Sequence, residues 1–406
     1  MYLKFIDGGV CAPAGFLASG IHCGIRKNKE KKDLALIFSQ QRATAAAVYT
    51  QNLVKGAPIT VTKRNISDGY AQAVICNSGN ANTCNSDGEE KARIMCELTA
   101  HQLGINADDV IVASTGVIGQ TLPIEPITSS VGALKAAASN HGNDAAAEAI
   151  MTTDTYSKQV AVEFKIGDKI CRIGGMAKGS GMIHPDMATM LCFITSDAVI
   201  EKSALKAVLK EVVDDTFNMI SVDGDTSTND MVAVLCNSMA QNEEITLDSQ
   251  GYYAFKEALF AVLEKLSRLM AGDGEGATRL IECRVECAAC VQTAKKVAKS
   301  IICSSLLKAA VFGADANWGR VLCAIGYSKC DIDINKIDVS FESEAGTVEV
   351  CRGGFGVDFS EEKAKSVLLC DEIIINVNLN DGDCRAVAWG CDLTYDYVKI
   401  NGDYRT

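Results

Sequence analysis

QAVICNSGNAN (residues 72–82), KARIMCELTAHQLG (91–104) and DDVIVASTGVIG (108–119) follow one another with only short polar joints between them. The first and third are apolar runs that end in polar or glycine-rich bends, the pattern of buried strands. The segment between them carries a helical pattern and stops at Gly104, a residue suited to the left-handed conformation that ends helices. Strand, helix and strand in immediate succession predict interleaved α/β layers rather than separate helical and sheet blocks.

The alternation continues outward. MTTDTYSK (151–158) is a hydroxyl-rich turn ahead of the strand VAVEFKIG (160–167), and LCFITSDA (191–198) is a further strand. EKSALKAVLKEVVDDTFNMI (201–220) and YYAFKEALFAVLEKLSRLMAG (252–272) are amphipathic helices. Beyond Cys287, residues 288–313 read as one helical run, and KIDVSFE, GTVEVCR, EIIINVNL and CRAVAWGCDLT form a strand-rich tail. The clearest boundary falls at AGDGEGA (271–277), which predicts an N-terminal α/β region over 1–275 and a C-terminal α+β domain over 276–406.

Composition narrows the function classes. At 406 residues, 48% apolar and 22% charged, the chain has enough apolar material for a large core. A formal charge of −12 leaves no excess of cations for phosphate backbones, so nucleic acid and anionic membrane are poor partners and small molecules are expected. The opening MYLKFIDGG has neither a basic leader nor a continuous apolar run, so a cytoplasmic location is expected.

Eighteen cysteines in such a chain are expected to be reduced. Cys283, Cys287 and Cys290 have a CxxxCxxC spacing that suggests a cluster-binding or metal protein. Yet Ile281, Cys283, Val285 and Cys287 alternate with Glu282, Arg284 and Glu286, the period of a half-buried strand. The four histidines show no metal spacing. GDGEGA (272–277) imitates a dinucleotide loop but follows a helix and precedes a strand, the reverse of the required order. No metal or resident cofactor is expected.

The chemistry concentrates in two places. STGVIG (114–119) ends a strand with Thr115 and Gly116, whose backbone N–H groups suit the oxyanion of an acyl transfer. KGSGMIHPDMATML (178–191) brings Thr189 out of a glycine-rich bend directly behind the small Ala188. A threonine hydroxyl is a weak nucleophile without an adjacent base, and no histidine is well placed for that role. Cleavage between Ala188 and Thr189 would supply one. The freed α-amine, whose ordinary pKa is roughly 7.7–8.0, takes the hydroxyl proton near neutrality.

GGMAKGSGMIHPDMATML resembles the self-processing site of the ArgJ family, the ornithine acetyltransferase and glutamate N-acetyltransferase enzymes of arginine biosynthesis. The resemblance runs along the chain through GFLASGIHCGIRK (15–27), NSGNAN (77–82), STGVIG, TTDT (152–155), SVDGDTSTND (221–230), GEGATRLIE (274–282), FGADANWGR (312–320) and INGDYRT (400–406). It implies a DmpA/ArgJ-like α/β fold, cut before Thr189 into an α chain of 1–188 and a β chain of 189–406 that remain together as α2β2. Thr189 would then be the nucleophile and Thr115 with Gly116 the oxyanion hole. Substrate contacts carry over to Thr152, Lys178, Thr189, Glu275, Asn401 and Thr406.

The implied substrates are N-acetylornithine and glutamate, with acetyl-CoA as a further acetyl donor in some members. The family pattern has Asn where this chain has Asp186, and a carboxylate beside the scissile bond favours the protonated amine. KGSGMI and MATML are intact, so activity is expected to persist. Two rivals remain at this stage: a self-processed threonine-nucleophile aminopeptidase or amidohydrolase, and the cysteine-cluster protein.

Overall fold

The computed structural model describes residues 2–184 and 190–403. The first part supplies β1 (Leu3–Ile6), β2 (Phe16–Ile21), β3 (Leu34–Tyr49), α1 (Ala57–Asn65), β4 (Tyr70–Asn80), α2 (Gly88–Leu103) and β5 (Val110–Val117). It continues through α3 (Glu125–Ala136), α4 (Asn143–Ile150), β6 (Lys158–Ile166), β7 (Lys169–Lys178) and β8 (Leu191–Ser196). Then come α5 (Lys202–Asp215), β9 (Ile220–Ser221), β10 (Met231–Cys236) and α6 (Gln250–Gly272). The remainder is β11 (Leu280–Ala288), α7 (Val291–Ile302), α8 (Ser305–Phe312), α9 (Trp318–Gly326), β12 (Asp338–Ser343), β13 (Gly346–Arg352), β14 (Phe355–Gly356), α10 (Glu361–Leu368), β15 (Glu372–Asn378), β16 (Cys384–Cys391) and α11 (Tyr395–Gly402).

Among the described residues the strands form two sheets. One is nine-stranded in the order β1-β6-β7-β8-β10-β3-β4-β5, with β2 paired to β3 off that path. The other is seven-stranded in the order β14-β13-β12-β15-β11-β16-β9. The β4-α2-β5 unit is the predicted one: β4 and β5 run parallel in the register Ala73↔Val110 to Asn77↔Ser114. Between them α2 ends as expected, with Gly104 left-handed and its N–H donating to Ala100 O at 2.8 Å.

Helix α6 lies between the sheets, packing on β6 and β7 of the first and on β11 and β16 of the second. Phe255, Leu259, Val262, Leu266 and Met270 recur at three- and four-residue intervals along it and are fully buried. Each such side chain gains about 1.5–3 kcal/mol over its exposed state, which makes α6 the plate that joins the layers. Strand β9 also crosses over, pairing Ile220 and Ser221 with Trp389 and Gly390 of β16.

Three expectations need correction. The single helix read beyond Cys287 is two, because Ser304 leaves helical geometry and its Oγ accepts the Leu307 N–H as the cap of α8. The alternation on β11 holds for the buried Ile281, Cys283 and Val285 but fails at Cys287. That residue adopts φ 54° at an irregularity between Val285 and Ala288 and is only half-buried. Glu282, read as solvent-facing, is buried against Trp389 Nε1 at 2.9 Å, Arg284 Nε at 2.6 Å and Arg268. No helix among the described residues is long and apolar enough to cross a membrane.

Candidate active site

A cleft of about 130 Å³ opens where β5 and β7 end, and Thr115, Gly116, Thr152, Lys178, Glu275 and Asn401 all line it. These residues come from separate segments, and each is fixed by a different device.

The Thr115–Gly116 pair is set by close approach of two strand ends. Gly116 faces Gly79 across the β4–β5 ladder with φ 132°, and a Cβ there would lie 2.4 Å from the Gly79 carbonyl carbon. Only glycine fits. Behind the pair, Asn229 Nδ2 donates to Ser114 O at 2.9 Å and to Ala81 O at 2.5 Å. Its Oδ1 accepts from Thr83 and Thr228 Oγ1, each at 2.6 Å. One buried amide thus uses both ends of its polarity to fix the turn.

Lys178, at the end of β7, is 8% exposed, and its Nζ donates to Thr115 Oγ1 at 3.3 Å. Asp154 supports it from below. The Asp154 carboxylate accepts from Thr152 N at 2.9 Å, Gly179 N at 2.7 Å and Lys158 Nζ at 2.8 Å. Burial raises the pKa of this acid, but Lys178, Lys158 and these hydrogen bonds outweigh burial and hold it at about 2. Lys158 is fully buried and also bonds Asp273, whose carboxylate takes the Thr155 N–H and whose carbonyl takes Ser180 Oγ–H at 2.7 Å. The network ties the 152–158 turn to the end of α6.

Glu275 follows through Ser180, whose carbonyl accepts the Glu275 N–H at 3.1 Å. Asn401 of α11 donates to Glu275 Oε2 at 2.7 Å. Gly181 permits this placement, since a Cβ on it would lie 2.3 Å from Glu275 Cδ.

The chain is fastened on both sides of the interval 185–189. Asp223 accepts the N–H groups of Met182 at 2.7 Å and Ile183 at 2.9 Å, and Thr226 Oγ1 donates to His184 O at 2.9 Å. On the other side Met231 N donates to Met190 O at 2.8 Å, where β10 and β8 run parallel. His184 Nδ1 lies 3.1 Å from Ser221 Oγ.

A sequence profile of the ArgJ family matches residues 17–406. The chain belongs to the ArgJ family. It is similar to the "Arginine biosynthesis bifunctional protein ArgJ" of Symbiobacterium thermophilum, 51% identical over 406 residues and covering all of both chains. The Bacillus subtilis protein of the same name is 47% identical over 403 residues, covering 99% of this chain and 97% of its own. Among solved structures, the ArgJ of Bacillus halodurans aligns with a TM-score of 0.50 and 46% identity, over 52% of this chain and 98% of its own.

Six of the residues that the ArgJ resemblance singled out therefore meet in one cleft. Ala188, Thr189, Thr406 and the divergent Asp186 lie outside the described residues. Sequence reading missed the frame: Asp154, Lys158, Asp273 and Asn229. It also missed Asp230, which is fully buried, with its carboxyl pKa pushed well up by burial despite Ser227 and Lys178. Asp230 Oδ2 finds no hydrogen-bond partner among the described residues. The available signal was the density of small polar residues in MTTDTYSK and SVDGDTSTND, costly in an apolar neighbourhood unless they bond one another.

Proposed function

We propose that this chain is a self-processing acetyltransferase that moves the acetyl group of N2-acetyl-L-ornithine to L-glutamate, in the biosynthesis of arginine. The observation that carries the reading is the cleft. It is amino-acid sized and, among the described residues, carries one ammonium, Lys178, one carboxylate, Glu275, and the hydroxyls of Thr115, Thr152, Thr153, Ser227 and Thr228. A substrate with both an α-carboxylate and an amine meets a partner for each charge.

Self-cleavage before Thr189 precedes transfer. The Thr189 hydroxyl attacks the Ala188 carbonyl, the acyl group shifts from nitrogen to oxygen, and water hydrolyses the ester to leave chains 1–188 and 189–406. The Bacillus halodurans relative supports this, being a chain of about the length of the second fragment. The fragments stay associated, as α2β2, in the cytoplasm. In this division 1–275 is the catalytic region and 276–406 the C-terminal domain, with Glu275 at the junction and Asn401 reaching back.

In the first half-reaction Thr189 Oγ attacks the acetyl carbonyl while its α-amine takes the hydroxyl proton. The Thr115–Gly116 turn receives the negative charge on the carbonyl oxygen. The C–N bond breaks as the proton passes to the leaving nitrogen, and ornithine departs. Glutamate's α-amine then attacks the acetyl-threonine ester, giving N-acetylglutamate and the free hydroxyl. No resident cofactor takes part. Acetyl-CoA serves as a second acetyl donor to the same threonine.

The test combines intact mass with transfer kinetics. Denatured wild type should give two fragments summing to the precursor plus one water, and Thr189→Ala a single uncut chain. Acetyl transfer should depend on glutamate and outrun acetate release. A wild type that stays whole, or that releases acetate at the same rate without glutamate, would overturn the reading in favour of a precursor or a hydrolase.

A further inference from the structure

The stretch that leads into the proposed cut carries a strained residue. Met182 adopts φ 56°, in the left-handed region that disfavours an L side chain roughly five- to thirtyfold. It precedes Ile183 and His184, the last residues described before the interval 185–189. Its side chain gains little burial there, being 44% exposed on the wall of the cleft. A conformation that costs free energy and is not offset by its own packing persists because its neighbours impose it.

The neighbour is Asp223. Its Oδ2 accepts the Met182 N–H at 2.7 Å and its Oδ1 the Ile183 N–H at 2.9 Å, so one carboxylate holds both groups. Successive N–H groups turned inward around a left-handed residue form a concavity suited to an anion. The carboxylate is itself oriented by the Asp225 N–H at 3.2 Å and the Tyr397 hydroxyl of α11 at 3.3 Å. Further along the same loop Thr226 Oγ1 donates to His184 O at 2.9 Å, and at its far end Met231 N donates to Met190 O at 2.8 Å. Between them Asn229 holds the carbonyls of Ala81 and Ser114 behind the Thr115–Gly116 turn. The loop 223–231 thus grips the chain on both sides of the interval and carries the brace of the oxyanion turn.

We propose that Asp223 is a positioning residue for self-cleavage: by holding Met182 in its left-handed turn it sets the path on which the chain enters the cut, and so presents the Ala188 carbonyl to the Thr115–Gly116 turn. The assignment rests on the self-processing reading and adds the device that aligns it. Asp223 acts through the backbone of Met182 and neither takes a proton nor forms a bond. In the step it serves, the Thr189 hydroxyl oxygen bonds to the Ala188 carbonyl carbon and the C–N bond between Ala188 and Thr189 breaks. The hydroxyl proton ends on the freed amine.

The experiment follows cleavage of the full-length chain, freshly made in a cell-free system, quenched in denaturant at intervals and read by intact mass. It compares wild type, Asp223→Asn, Met182→Gly and the double variant. Asparagine keeps the shape of aspartate but turns an NH2 group towards a backbone N–H, so Asp223→Asn should cut on the order of tenfold more slowly than wild type. Glycine takes the left-handed conformation without strain, so Met182→Gly should cut within about threefold of the wild-type rate. In the Asp223→Asn background the same glycine should recover most of the lost rate. That rescue separates the roles, because a carboxylate needed only for stability elsewhere gains nothing from a glycine at 182. Asp223→Asn cutting as fast as wild type, or a double variant as slow as Asp223→Asn alone, would overturn the assignment. Slow cleavage in Met182→Gly by itself would also overturn it, by giving the role to the methionine side chain. Failure of the self-processing reading is distinct: wild type itself would stay whole, and both proposals would fall.

Discussion

Lys178 and Lys31 line neighbouring hollows of one protein, and the fold treats them in opposite ways. Lys178 is nearly buried, bonded to Thr115 Oγ1 and backed by the low-pKa carboxylate of Asp154. Lys31 stands in solvent on a loop whose backbone alone is fixed. A buried, hydrogen-bonded charge has one position and selects a ligand by geometry. An exposed ammonium selects only by sign, which suffices for a phosphate but not for orienting an acetyl group. The two hollows thus differ in what they can do to a ligand: the one beside Lys178 imposes a position, and the one beside Lys31 offers only a charge.

The strongest way to break that contrast is to remove the frame under Lys178. Asp154→Asn leaves Lys158 with Asp273 but strips Lys178 and Lys158 of a shared counter-charge, and should cost on the order of 3 kcal/mol of stability in urea unfolding at neutral pH. The pH dependence has a definite sign. The folded Asp154 pKa, about 2, lies below its ordinary 3.8, so this stabilisation is present above pH 3.8 and fades as pH falls towards 2. Wild type should therefore lose stability across that window and the variant should lack that component. Equal slopes would show that Asp154 is not the anchor.

Next in size is Lys178→Ala. It keeps Asp154 paired to Lys158, so the melting temperature should move little, while kcat/KM for N-acetylornithine falls on the order of 10²-fold. Lys178→Arg should not restore it, since the guanidinium cannot occupy the ammonium's enclosed position. A tenfold or smaller loss in the alanine variant would place Lys178 with the loose lysines.

The contrast also separates what was legible in the sequence from what was not. Elements written in local periodicity could be read directly: the strands at 72–82 and 108–119, the helix between them, and the long helix α6. So could residues singled out by family resemblance, six of which share one cleft. Pairings between distant segments were hidden. MTTDTYSK read as an ordinary turn because nothing in eight residues shows that Lys158 will meet Asp273 across the fold. Glu282 read as solvent-facing because Arg268 and Trp389, which bury it, arrive from α6 and β16. The helix break at Ser304 is a capping event inside an otherwise helical composition, and composition alone did not place it.

Smaller effects test the wall opposite Lys178. Gly181→Ala would put a methyl group 2.3 Å from Glu275 Cδ, and the flexible carboxylate, rather than backbone, must yield. KM for N-acetylornithine should rise roughly tenfold with the fold intact. An unchanged KM would mean that Glu275 does not meet the substrate.

Asn401→Ala should give the smallest change, and it is the most informative about how the C-terminal helix serves the cleft. Asn401 Nδ2 donates both to Glu275 Oε2 at 2.7 Å and to Tyr397 O at 3.0 Å, so the amide links α11 to the carboxylate. Losing the bond to a charged acceptor removes roughly 1.5–3 kcal/mol when the site is dry, but this helix is largely exposed and water replaces the amide, which leaves about 1 kcal/mol. That corresponds to about a fivefold drop in kcat/KM. If Asn401 only steadies Glu275, its loss should vanish in a Gly181→Ala background, where the carboxylate is already displaced. If it contacts the substrate independently, the two losses should multiply.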